Sequence, residues 1–305
     1  GVDQLKSLLA KVWRTLNQVD PLVTLEDVYY GYTLFSSRAF AVSTDSSKAE
    51  VHTHIMAYNQ SDSEAAVSPA LIEACLVPYA DIFNHSSSAR VQFRTNHTLG
   101  SFNLDLDTLA QDGQEVFNNY GFKSNESLIL GYGFTLPDGE NPHNSYWVQI
   151  NIDEADPDRK QKMQLIKAQK LAFRHFIKQD GLIPQELLQV MRICLLDHID
   201  LYFIEQPLLP NSNATEEEEK PNGSHSPTSL RIPFSFEREM LLFETLNGLL
   251  ESRLAKMEPT PAHLDREAFH KARTSASPPS WPTIMGWQYR VEQKETLLTA
   301  IKRVN

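Results

Sequence analysis

Cysteine is scarce: Cys75 and Cys194 are the only two in 305 residues, too few for a disulfide framework, and no C-x-x-C pair is present to hold zinc. That usage fits a reducing compartment, cytosol or nucleus. No apolar run approaches the ~18 residues that span a bilayer, and the opening "GVDQLKSLLAKVW" lacks a basic flank followed by an uninterrupted apolar core. A soluble protein with no membrane partner is expected. Basic charge is in deficit, with 28 Lys and Arg against 39 Asp and Glu; the formal charge of -11 argues against broad nucleic-acid binding and favours basic protein partners. His52 and His54, with Glu50, make an H-x-H pair without a third spaced ligand, so no metal site is assigned.

What is present is enough for one large or two ordinary domains, since 41% of the residues are apolar. The composition changes near Pro157. Before it, "EACLVPYADIF", "ARVQFRT" and "GSFNLDL" read as short strands joined by Gly, Asn and Ser, which predicts an irregular antiparallel sheet and not a doubly wound one. "DQLKSLLAKVWRTL" is helix-like, whereas "DVYYGYTLFSSRAF" fits a helix or extended chain equally. The polar stretch at 44–69 reads as a surface loop.

After Pro157 the periodicity is helical. "PQELLQVMRICLLDHI" sets Leu187, Val190, Met191, Cys194 and Leu195 on one stripe behind Pro184. "KQKMQLIKAQKLAFRHFIKQDG" reads as a preceding helix, with Leu165 and Ile166 followed by Ala172, Phe173, Phe176 and Ile177 and with Gly181 as its stop. Residues 210–229, with four consecutive glutamates among Pro, Ser and Asn, read as a disordered insertion. Helical patterning resumes in "FEREMLLFETLNGLLESRLAKM", and a Pro-rich connection at 259–282 leads to a last helix in "WQYRVEQKETLLTAIKRV".

Two stretches concentrate polar and aromatic chemistry: "VPYADIFNHSSS" at 77–88 and "NNYGFKSNESLILGYGF" at 118–134. Taken alone, Asp81, Asn84 and Ser86 fit an ordinary turn after a strand, and a tyrosine beside glycine fits core packing. Taken together and in order, "SSRAF" at 36–40, "ADIFNHS" at 80–86 and "NYGFKSNESLILGYGF" at 119–134 resemble the SET-domain protein methyltransferases. The nearest match is the branch that joins a SET domain to a helical substrate-binding domain and includes the Rubisco large-subunit methyltransferase. Order, spacing and the helical tail all fit that branch, and the cysteine-rich zinc segments of histone-type SET proteins are absent.

The resemblance implies an α+β chain, with the C-terminal part of an irregular β-rich SET domain at 1–156 and a mainly helical domain at 157–305. It also implies an S-adenosylmethionine-dependent protein-lysine N-methyltransferase acting on a non-histone, basic protein, with ribosomal and translation proteins as candidates. Tyr120 would be the catalytic tyrosine. Arg38, Asp81, Asn84 and His85 would bind the cofactor, Arg38 and Asp81 at its charged amino-acid end and Asn84 through its side chain. In the family the N-H-S segment passes beside the chain carrying the tyrosine, and Asn119, Gly121, Ser124 and Asn125 would shape that crossing. The family's N-terminal strand pair with its G-x-G motif has no counterpart here, so a fragment, a split subunit or an inactive relative is expected. The alternatives are therefore a catalytically silent SET-derived interaction module or a protein-histidine methyltransferase.

Overall fold

Capping chemistry sets the first elements. The computed structural model describes residues 2–44, 50–53, 72–107, 109–205, 235–257 and 260–305. Helix α1 (Val2–Val19) is followed by α2 (Leu25–Arg38), which starts at a reciprocal capping box: the Thr24 side chain accepts from the Asp27 amide, and the Asp27 carboxylate accepts from the Thr24 amide. The ambiguous tyrosine-rich segment is thus helical up to Arg38. There the backbone turns extended at Ala39 and enters strand β1 (Ala39–Ser43).

The strands of this region pair antiparallel. β1 pairs with β3 (Ile72–Leu76), and β2 (Glu50–Thr53), β4 (Val91–Asn96) and β5 (Ser101–Leu106) form a sheet with β4 in the middle. The expected irregular antiparallel sheet is present, although part of the supposed loop at 44–69 is strand β2. Phe40, Phe93 and Phe102 pack edge-on and stacked at 5.3–5.8 Å between centroids, tying β1 to β4 and β5. Helix α3 (Asn125–Tyr132) begins at the Ser124 cap and ends at Gly133, whose φ of 76° lies in the left-handed region that favours glycine.

By its contacts the chain divides into two units, Gly1–Asn144 and Ser145–Asn305, ahead of the composition break near Pro157. The cause is strand β6 (Ser145–Gln149), which pairs with β7 (Arg174–Lys178) inside the second unit. This corrects the helix expected across 160–181. Helix α4 (Arg159–Ala168) stops before Lys170, which adopts φ 55°, and the chain continues as β7 with His175 and Ile177 buried and Arg174, Phe176 and Lys178 exposed. Phe173, Phe176 and Ile177 suit a helical template, Phe173, His175 and Ile177 a period of two, and the partner strand decides between them. Gly181 is no helix stop either: at φ 71° it packs so closely on the last helix that a Cβ would lie 2.7 Å from the Thr299 carbonyl carbon.

The remaining elements are α5 (Gln185–Cys194), α6 (His198–Glu205), α7 (Phe236–Ala255), α8 (Ala262–Thr274) and α9 (Trp281–Val304). α8 occupies the region read as a Pro-rich connection. Pro261 precedes its first turn, and Asp265, Phe269 and Ala272 form its buried face. The core of this unit joins Leu187, Val190 and Ile193 of α5 to Leu242, Leu246 and Leu250 of α7 and Leu297 of α9, all fully buried. The insertion at 210–229 lies outside the described residues, as does His54. No helix among the described residues is long and apolar enough to cross a membrane.

Candidate active site

The two polar stretches meet. Asn84–Ser86 and Asn118 run side by side as a parallel bridge: the Asn118 amide donates to the Asn84 carbonyl at 2.8 Å, and the Ser86 amide donates to the Asn118 carbonyl at 2.9 Å. Backbone hydrogen bonds alone therefore fix a crossing between segments more than thirty positions apart. Asn119 reinforces it, its Nδ2 donating to the Ala89 carbonyl at 3.0 Å while its Oδ1 accepts from the Gly121 amide at 2.9 Å. Gly121 itself takes φ 96°, and Asn125 is buried with its Oδ1 accepting from Leu136 N and Asn141 Nδ2. Of the four residues expected to shape the crossing, Asn119 reaches across it and Gly121 turns beside it, whereas Ser124 caps α3 and Asn125 holds the chain at Leu136 and Asn141.

Tyr120 is locked into this crossing from both ends. Its amide donates to His85 Nδ1 at 3.1 Å, and its hydroxyl donates to the Phe83 carbonyl at 2.7 Å. The ring stacks on Tyr132 at 4.6 Å and on His85 at 5.1 Å, with Phe134 edge-on at 6.3 Å. Burial pushes the Tyr120 hydroxyl above its ordinary value; Arg38 opposes this and Asp81 adds to it. A neutral hydroxyl donor results at physiological pH. Burial likewise raises Tyr132, with Tyr120 adding to the shift, and lowers His85, whose imidazole is held neutral against the weaker pull of the Asn118 backbone.

A cavity of about 190 Å³ opens against this aromatic wall, and Arg38, Asp81, Phe83, Asn118, Tyr120, Lys123 and Tyr132 contribute to its lining. The end of α2 delivers Arg38, whose Nη1 donates to the Asp81 carbonyl at 3.0 Å and sits 3.4 Å from the Asp81 carboxylate. Asp81 is presented by a single 3-10 turn at Ala80–Ile82, entered through Tyr79 at φ 71°, an uncommon conformation for a side chain of that size. Asn118 is buried, and its Oδ1 has no hydrogen-bond partner among the described residues.

Three of the five residues expected at the site, Arg38, Asp81 and Tyr120, line one cavity. Asn84 and His85 stand beside it: the Asn84 side chain is exposed and donates to Glu115 at 2.7 Å, and His85 serves as the platform under Tyr120. Sequence reasoning missed Asn118, Lys123, Tyr132 and Phe134. Their signal lay in the same quoted stretch, where the Gly133 cap turns Phe134 back towards Tyr120. Lys123 places its Nζ over the Tyr132 ring at 5.6 Å, and burial lowers its ammonium below the usual lysine range. No cluster of His, Cys, Asp and Glu suited to a metal occurs among the described residues.

No protein-family model matches the chain. Individual proteins do. It is 27% identical over 197 residues to the ribosomal lysine N-methyltransferase set10 of Schizosaccharomyces pombe, covering 62% of this chain and 32% of that protein. It is 30% identical over 142 residues to the chloroplastic [fructose-bisphosphate aldolase]-lysine N-methyltransferase of Arabidopsis thaliana, covering 43% and 29%. The Rubisco large-subunit N-methyltransferase of Pisum sativum is 26% identical over 198 residues, covering 61% and 35%. The chain thus spans about a third of the length of these relatives. Among solved structures, Rubisco LSMT bound to AdoMet superposes with a TM-score of 0.64 at 20% identity, over 99% of this chain and 61% of that one. The SET domain of LSMT bound to lysine and AdoHcy gives 0.65 at 20% identity, over 99% and 60%. The chain is related in sequence to the SET-domain lysine methyltransferases and has the α+β fold of the Rubisco large-subunit methyltransferase.

Proposed function

We propose that this chain carries the tyrosine-bearing half of the active site, and the helical domain, of an S-adenosylmethionine-dependent protein-lysine N-methyltransferase acting on a non-histone protein. The observation that carries this is the backbone-fixed crossing that anchors the Tyr120 hydroxyl on the Phe83 carbonyl at a cavity shared with Arg38 and Asp81. The lysine methyltransferase relatives support it, as does the structural neighbour bound to lysine and AdoHcy. Within that assignment Arg38 and Asp81 suit a ligand end bearing a carboxylate and an ammonium. Asn84 is assigned to the same ligand and would exchange Glu115 for it, while His85 acts by supporting Tyr120.

When bound, S-adenosylmethionine supplies a methyl group on a sulfonium. The chain's own task is to align and neutralise the attacking amine. Tyr120 is protonated and fixed, so it orients the acceptor as a hydroxyl and does not act as a phenolate base. The burial that lowers Lys123 disfavours any ammonium desolvated there, and a substrate lysine entering gives up its proton to solvent more readily. Methyl transfer should accordingly rise with pH as the acceptor amine deprotonates.

A basic substrate suits the charge of -11, and ribosomal or other translation proteins fit by analogy with one relative. Cytosol or nucleus is the proposed location, on the strength of the free thiols Cys75 and Cys194, the latter pushed up to about 11 by burial. The second reading, a silent SET-derived module, is favoured by one contact: the Asn84 side chain is already engaged by Glu115.

The test is transfer of labelled methyl from S-adenosylmethionine to cell extract by the full-length protein, with mass spectrometry of the labelled band. Labelled lysine is expected, and Tyr120→Phe should lower transfer roughly 10²-fold while leaving cofactor affinity nearly intact. Asn84→Ala should weaken cofactor binding by about 1–3 kcal/mol in calorimetry. Labelled histidine would overturn the lysine assignment, and an absence of both labelling and cofactor binding would establish the silent module.

A further inference from the structure

Helix α4 stands out in an acidic chain. Within "RKQKMQLIKAQK", Lys162 is turned inward, 5% exposed, with its Nζ donating to Asp156 at 2.7 Å and to the Cys194 carbonyl at 3.0 Å. Arg159, Lys160 and Lys167 behave differently: they are exposed and form no ion pair among the described residues. They border a groove of about 770 Å³, within the range of sites that take up a ligand or a peptide's anchor side chains. Its apolar surface comes from Met163, Leu171 and Phe173, and its one carboxylate, Asp156, is already neutralised by Lys162.

The helical repeat orders these groups. Lys160, Met163, Gln164 and Lys167 fall at i, i+3, i+4 and i+7, one face of α4, so a thioether lies between two cations about 10 Å apart along the axis. That distance matches about three residues of extended chain. Exposed cations beside apolar surface recognise carboxylates that flank an apolar side chain, and a basic substrate tail would be repelled here. We propose that this groove is a docking site for an acidic segment of a partner protein, in extended conformation, with two carboxylates about three residues apart and an apolar side chain between them. The site lies wholly within the second unit and is distinct from the cavity at Tyr120. Because it does not depend on methyl transfer, it can be tested without cofactor.

The experiment is fluorescence anisotropy of the full chain with a fluorescein-labelled peptide of glutamates interrupted by leucine and phenylalanine, followed over a salt series. The R159Q/K160Q/K167Q variant should bind at least about tenfold more weakly, with a shallower salt dependence and an unchanged melting temperature, since these side chains are exposed. A peptide with serine at the apolar positions should also bind more weakly. Equal binding by the triple variant, or by the serine peptide, overturns the proposal. So does preference of the same residues for phosphatidylserine vesicles or single-stranded RNA over the peptide. Tighter binding after deletion of 210–229 would also overturn it, by making the chain's own glutamate run the occupant.

Discussion

The two units spend their sequence differently. In the second, leucines and isoleucines of α5, α7 and α9 form a continuous core, and a buried carboxylate beside it is doubly paired: Asp265, 2% exposed, takes Lys294 Nζ at 2.6 Å and Arg290 at 2.7 Å. In the first, the buried apolar residues among those described are Leu9, Val28, Phe93 and Leu128, and the best-ordered chemistry is the polar crossing at Tyr120. Leu8, Val12 and Leu16 of α1 remain exposed. The second unit is thus organised by apolar burial and the first by hydrogen bonds around a cavity. Substitutions should register as stability in one and as chemistry in the other.

The largest expected loss comes from Asp265→Ala, which takes the carboxylate from the buried Lys294 ammonium. About 4 kcal/mol should disappear from urea unfolding of the second unit. Leu246→Ala, at a fully buried position on α7, should cost about 3 kcal/mol through lost transfer energy and the cavity left behind. If either variant unfolds within 0.5 kcal/mol (about the scatter expected of a surface change) of wild type, the contrast between the units is wrong.

Tyr120→Phe sharpens the contrast from the other side. Losing one hydrogen bond to the Phe83 carbonyl should cost only about 1 kcal/mol in thermal unfolding, beside the roughly 10²-fold loss of methyl transfer. A stability loss as large as that of Leu246→Ala would make Tyr120 a core residue first and a functional one second.

The smallest effect is that of acid, and it reaches both units. Burial is the main cause that lowers His85 in the first unit and His175 in the second below the ordinary 6.5. A histidine lowered on folding favours the native state above its unfolded value, and that contribution declines as pH falls through about 6.5 towards the folded value. Melting temperatures measured from pH 7.5 to 5 should therefore drop, and His85→Gln should flatten the response of the first unit. An unchanged slope would mean that carboxylates carry the acid sensitivity.

Much of the site was legible because its residues are clustered in sequence. Asp81, Asn84 and His85 occupy five positions, and Tyr120 sits with Asn118, Lys123, Tyr132 and Phe134 in one stretch of seventeen. The direction of the Asn84 side chain was not legible, because Glu115 competes for it across a separation that no local pattern records. The α8 helix was hidden by the prolines on either side of it, although its buried positions Asp265, Phe269 and Ala272 keep a helical spacing.

By itself the sequence determined the apolar faces of α5, α7 and α9 and which two segments hold the chemistry, because hydrophobic period and turn residues act over a few positions. The tertiary structure alone decided that Arg38 meets Asp81 and that Tyr120 bonds to the Phe83 carbonyl. It also made Arg174–Lys178 a strand, through β6, and required glycine at 181, through the close approach of α9. Each of these depends on a partner tens to more than a hundred residues away, and its energy exists only once the chain has closed that distance.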